Sequence, residues 1–312
     1  MPAPQLRIAL FGRLNINREP GVGHVLEAHK LQELFCYLLL YRERLHPREV
    51  LADRFWNDFS SSQARTHLRK ALWEIQSALG GPSPGLNERV LLIDPEAVQV
   101  NQRANFWLDI AEFEQVFHQV KDRPGEQIDD LAAKQLQAAV ELYRGDLLDG
   151  WYHDWCLYER ERLQQIFLSM LDKLMGYCEI HHYYEQGIDY GVSILRYDRA
   201  QEQTHCRLMR LHFLAGDRTG ALRQYERCAS ALHEELAIAP SEATLALYEQ
   251  IRANRLEHRA AYPHAMRSPA ALPDQLCNVL AHLNQFQAEL ELFRQQVASE
   301  IASLSETLNG PR

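Results

Sequence analysis

The chain has 312 residues, 46% hydrophobic and 24% charged side chains, and a net charge of −9. That balance excludes a disordered chain, and no apolar run approaches the ~18 residues of a membrane-spanning helix. The N-terminus MPAPQLRIALFG lacks a signal-peptide pattern, so no membrane association and a cytoplasmic location are expected. Six scattered cysteines without a CxxC pair point to neither a disulfide framework nor a zinc site. The sequence holds no P-loop, GxGxxG or GxSxG, so neither an enzyme nor a cofactor is expected.

The first predicted element is a buried strand over LRIALF, 6–11. Alternating Leu14 and Ile16, then Val22 and Val25 beyond Pro20-Gly21, extend it into a small antiparallel sheet. A helix follows over 29–42, with Leu31, Leu34, Phe35, Leu38 and Leu39 as its apolar stripe. Pro47 reads as the first residue of a second, short helix whose stripe is Val50, Leu51, Phe55 and Trp56.

The third helix, over 61–79, is the most sharply patterned. Ala64, Leu68, Leu72, Ile75 and Leu79 fall on one face at helical spacing, and Arg65, Thr66, Arg69, Lys70, Trp73 and Gln76 on the other. Residues 42–70 carry seven basic and four acidic side chains, a local excess of +3 inside an acidic protein. It is this local field that a duplex meets. A Gly/Pro connector at 80–87 then leads into a β-hairpin, RVLLID and VQVN, turning at Asp94–Ala97.

Strand, strand, three helices and a hairpin make a winged helix-turn-helix. In that arrangement the third helix offers its polar face to a major groove. Arg89, at the start of the wing, is either a phosphate contact or a solvated strand-end arginine.

Beyond Phe113 the pattern is helical. Leu131, Leu136, Ala139, Val140 and Tyr143 form one face, and Trp151, Trp155 and Tyr158, at i, i+4 and i+7, form another that reads as core or domain interface. A repeat of period 34 aligns residues 182–188 with 216–222 and sets Gly187 against Ala221, as in tetratricopeptide helix pairs. A further helix pair is expected across 242–255. Residues 256–274, with Pro263, Pro269 and Pro273, read as a linker. Leu276, Leu283, Leu290, Val297 and Leu304 then recur every seven residues, which suits either a dimeric coiled coil or a helix packed back on the repeats.

These stretches together resemble the SARP (antibiotic regulatory protein) transcription factors, an OmpR-type winged helix joined to a bacterial transcriptional activation domain, BTAD. The resemblance rests on LRIALFG at 6–12, LADRFWND at 51–58, SQARTHLRKAL at 62–72 and WLDIAEFE at 107–114. It continues through LYRGDLLDGW at 142–151, ERERL at 159–163 and the long block 220–251. It implies a mostly α fold, with a winged-helix DNA-binding domain at 1–105 and an all-α tetratricopeptide-like domain at 106–255. The linker at 256–274 and a coiled-coil-like helix at 275–309 follow.

It also implies a transcriptional activator that binds double-stranded DNA and engages RNA polymerase or another regulator, while the heptad segment, which lies outside the resemblance, points to a homodimer. Arg65, Thr66, Arg69, Lys70, Trp73 and Arg89 would form the DNA face. The chain departs from the family where a basic run often closes the recognition helix, having Trp73, Glu74, Gln76 and Ser77 there instead. The alternative is an adaptor that senses a phosphorylated ligand, such as a cyclic dinucleotide, and binds a protein partner. Its candidate residues are Tyr158, Arg160, Arg162, Arg207 and Arg210, since guanidinium groups hold phosphate bidentately. Helix-surface ion pairs are the competing account of the same arginines.

Overall fold

The fold is that of a computed structural model, which describes residues 6–18, 26–79 and 89–255. Val22 and Val25, the 80–87 connector, the linker and the heptad segment lie outside the described residues.

Strand β1 (Leu6–Ala9) pairs antiparallel with β2 (Asn15–Arg18) as the alternation predicts. It also pairs parallel with β6 (Phe106–Leu108), a strand of three residues, which places the sheet order at β2-β1-β6. Helices α1 (His29–Leu40), α2 (Arg48–Phe55) and α3 (Ser61–Leu79) follow the first hairpin. The wing is β4 (Leu91–Ile93) and β5 (Ala97–Val100), closed by the Asp94 amide donating to the Ala97 carbonyl at 2.9 Å.

Two expectations for α2 are corrected. Pro47 is not inside the helix but N-caps it, in extended conformation, and with His46 forms β3, the edge strand beside β5. An edge is where a residue without an N–H can sit in a sheet. Val50 is exposed, and Ala52 joins Leu51 and Phe55 in the buried stripe, because the helix starts one residue later than Pro47 suggests.

The activator half begins with α4 (Asp109–Val120) and α5 (Asp130–Leu142). Leu131 is exposed, contrary to its assignment to the apolar face: the Asp129 cap sets the phase so that Ala132, Ala133, Leu136 and Ala139 turn inward. The long α6 (Asp154–Ile180) starts after Trp151, so Trp151, Trp155 and Tyr158 do not share one helix face. Trp155 packs edge-on to Tyr37 at 5.6 Å and Trp151 lies 4.9 Å from His29, sealing α6 and the turn before it against α1. Tyr158 is 68% exposed.

Then come α7 (Tyr184–Leu195), α8 (Glu202–Leu214) and α9 (Arg218–Leu236), which with the end of α6 supply the 34-residue repeat. A Cβ on Gly187 would stand 3.0 Å from Leu211 and 3.2 Å from Cys178, so the small residue permits the close approach of α6, α7 and α8. The stretch 242–255 holds one helix, α10 (Glu242–Arg252), rather than a pair, capped by Ser241 and packed on α8 and α9.

A single buried cluster runs from Ile8 and Leu10 through Leu34, Phe35 and Leu68 to Phe113, Leu136 and Leu163. The winged helix and the first activator helices therefore share one core. Among the described residues no helix is long and apolar enough to cross a membrane.

Candidate nucleic-acid interface

Helix α3 is set by its own sequence. The Ser60 Oγ accepts from the Gln63 amide at 3.5 Å, and Gln63 Oε1 accepts from the Ser60 amide at 3.2 Å, a reciprocal N-cap. Ala64, Leu68, Leu72, Ile75 and Leu79 are all buried, as their spacing predicts, and Ala71 joins them. At about 25 cal/mol per Å2, each buried leucine in such a stripe contributes roughly 2 kcal/mol of transfer energy. That anchorage fixes which face looks out.

The outward face carries Arg65, Thr66, Arg69, Lys70 and Trp73, all exposed, Trp73 at 68%. The structure thus brings five of the six predicted residues onto one open surface. Arg65 pairs with Glu49 of α2 at 2.9 Å, and Lys70 with Glu74 at 3.6 Å. Thr66 Oγ1 donates back to the Ser62 carbonyl at 3.0 Å. Among the described residues Arg69 makes no ion pair, so its charge is the most available on the helix. Arg89 is exposed at the foot of the wing, its carbonyl accepting from Asn101 Nδ2 at 2.9 Å.

A cleft of about 740 Å3 opens between α2, α3 and the wing, lined by Arg48, Glu49, Arg65, Thr66, Arg69 and the wing-tip residues Pro95 and Glu96. Arg48 was not foreseen in it. Its amide donates to the Glu96 carbonyl at 2.9 Å and its guanidinium to the Asp94 carbonyl at 3.2 Å, so the wing tip is tied to the start of α2. The only sequence signal was Pro47, a turn-type residue before a helix. The pairing of β3 with β5 is a tertiary event.

The five residues proposed for a phosphorylated ligand do not gather at one cleft. Arg160 donates to the carbonyls of Leu147, Leu148 and Trp151 at 3.0–3.2 Å, holding a turn in which Leu148 has φ +49°. Arg207 is buried among Asp172 at 2.6 Å, Glu126 at 3.1 Å and Glu179 at 3.9 Å, and Arg210 also reaches Glu179, at 3.2 Å. Burial works against the Arg207 charge, and the three carboxylates more than offset it, leaving its pKa above the ordinary value.

Arg162 bridges Glu114 and, at 2.6 Å, Glu159. Burial likewise opposes its charge, but hydrogen bonds to both carboxylates hold its pKa above normal. Burial, then the neighbouring Glu159, pushes the Tyr41 phenol up to about 12. Tyr158 and Arg162 line a polar cleft beside Tyr41 and Arg42, whereas Arg207 and Arg210 belong to α8. Arg162, Arg207 and Arg210 are engaged by carboxylates, as the ion-pair account has it, whereas Arg160 is held by backbone carbonyls.

Residues 108–252 match the bacterial transcriptional activator domain. The chain therefore carries that domain. The activator domain begins at the last residue of β6 and takes in every helix from α4 to α10. Among solved structures, Mycobacterium tuberculosis EmbR in complex with a low affinity phosphopeptide is similar, with a TM-score of 0.57 and 20% identity. The match covers 81% of this chain and 66% of that one, so this chain spans just under two thirds of the length of its structural neighbour, and the likeness is one of fold. No curated protein matches the sequence.

Proposed function

We propose that this regulator binds double-stranded DNA, with α3 lying in a major groove and the wing over an adjacent backbone, and that it activates transcription in the cytoplasm. The observation that carries this reading is the open outer face of α3. The apolar stripe is sunk in the core, while Arg65, Thr66, Arg69, Lys70 and Trp73 face solvent, uncovered by the activator helices. Arg69 is the residue for base-edge contact, since a guanidinium can take guanine O6 and N7 together. Lys70, Arg48 and Arg89 suit phosphates.

The partner would be polymerase or another regulator, met by the helical repeats, whose stacked surfaces serve protein contacts in this architecture. The active form is taken as a homodimer, from the seven-residue recurrence of Leu276 to Leu304 in the sequence.

Selection of bound duplexes from a random pool, followed by fluorescence anisotropy at rising salt, tests the reading. A recovered motif whose affinity falls steeply with salt is expected. No enriched motif and no low-salt binding would overturn it.

A further inference from the structure

The exposed face of the N-terminal sheet has a composition the DNA-binding reading does not use. In register across the three strands, Asn17 of β2 stands opposite Arg7 of β1, and Arg7 opposite Trp107 of β6. Asn15 lies two residues from Asn17 on the same face. The Arg7 guanidinium sits over the Trp107 ring at 4.3 Å, which fixes a side chain that would otherwise sweep through solvent. Arg144, just past the end of α5, closes the other side, and a cleft of about 200 Å3 lies between them. Among the described residues neither Arg7 nor Arg144 has a carboxylate partner, unlike Arg162, Arg207 and Arg210. The one acid lining the cleft, Asp109, has its carboxylate taken by the amides of Leu10, Phe11 and Ile110 at 2.7–2.9 Å.

We propose that this cleft binds a small phosphoryl-bearing ligand, gripped by Arg7 and Arg144 and oriented by the Asn15 and Asn17 amides. Two guanidinium groups match the double negative charge of a phosphate monoester, where a carboxylate would leave one of them unmatched. The amides supply donors for the remaining oxygens. Phe11 and Leu142 give the cleft an apolar side for a short organic stem. Its volume of about 200 Å3 admits such a molecule. Arg7, Asn15 and Asn17 precede the activator domain, whereas Asp109, Leu142 and Arg144 belong to it, so the ligand would tie the two halves together.

Isothermal titration of the full chain without DNA, against inorganic phosphate and against glycerol 3-phosphate, tests this. Saturable binding at about 1 mM or tighter is expected for at least one probe. Tighter binding of the glycerol ester identifies an esterified ligand, and equal affinity identifies the free anion. Arg7→Ala/Arg144→Ala should weaken binding at least tenfold while leaving duplex affinity unchanged. Should that variant not fold, the wild-type indole NMR signals decide, Trp107 being assigned with Trp107→Phe. The Trp107 signal should shift on titration while those of the other four tryptophans stay put. Absence of saturable binding for both probes, undiminished binding in the folded double variant, or an unmoved Trp107 signal would each overturn the proposal.

Discussion

Arg42, two residues beyond the end of α1, donates to Glu114 of α4 at 2.6 Å, across 72 positions of sequence. The same carboxylate receives Arg162 of α6. One buried acid thus joins the N-terminal half to two helices of the activator domain, at the place where the two share a core. A shared core and a shared ion cluster mean that displacement of α4 or α6 is felt at the end of α1, and through the buried Leu34, Phe35 and Leu68 at α3.

Arg42→Ala should lower stability in urea unfolding by roughly 2–3 kcal/mol, because Glu114 keeps its burial and loses one of two cationic partners. Arg42→Ala combined with Glu114→Ala should lose less than the sum of the single changes. Strict additivity would show that the pair carries no coupling.

On α3 the two arginines should behave differently. Arg69→Ala is expected to weaken duplex binding about tenfold or more and to lower the salt slope by about one. Arg65→Ala should cost less, since Glu49 already neutralises that charge at 2.9 Å. Glu49→Ala should then raise affinity severalfold, by freeing Arg65 and removing an acid from the face. Anisotropy on one duplex at fixed salt compares all three, and equal losses for Arg65 and Arg69 would contradict the assignment.

Much of this was legible because periodicity reports burial. The α3 stripe, the hairpin and the 34-residue repeat with Gly187 each follow from spacing alone. What was not legible lacks a period. β3 has two residues and β6 three, and each exists only because a partner strand lies beside it, for β6 about a hundred positions away. The phase of α5 was set by the Asp129 cap rather than by the count of leucines, which is why Leu131 faces solvent. Arginine roles were the least readable. Arg207 finds Glu126 81 positions upstream, and nothing local separates such a residue from a ligand-binding one.

Asp109 holds the end of β1 to the start of α4 through the Leu10 and Phe11 amides. Burial raises its pKa to about 6, its backbone hydrogen bonds pulling the other way. With a folded value above the ordinary 3.8, the native state binds more protons than the unfolded chain, so this group lowers stability as pH rises from about 4 to about 6. The span corresponds to roughly 3 kcal/mol. NMR titration of the Asp109 carboxyl should give a midpoint near 6, and a midpoint near 4 would refute the argument. Asp109→Ala should still destabilise at neutral pH, by about 2–4 kcal/mol, since it takes the acceptor from the buried Leu10, Phe11 and Ile110 amides.

His205 runs the other way. It is buried in α8, with Nε2 2.9 Å from the Arg199 carbonyl and Nδ1 2.8 Å from Gln224 Nε2. The carbonyl can only accept, so Nε2 carries the proton and Nδ1 accepts from the amide. A second proton would destroy that acceptor. Burial accordingly pulls the His205 pKa below its ordinary 6.5, and burial does the same to His46 in β3. The stability tied to these two groups is complete above about pH 6.5 and is lost as pH falls below it, opposite in sign to Asp109 in the acid range. Thermal melts across this window should show Tm falling with acidification. His205→Gln should flatten part of the slope and leave the His46 share, and a variant profile parallel to the wild type would remove His205 from the account.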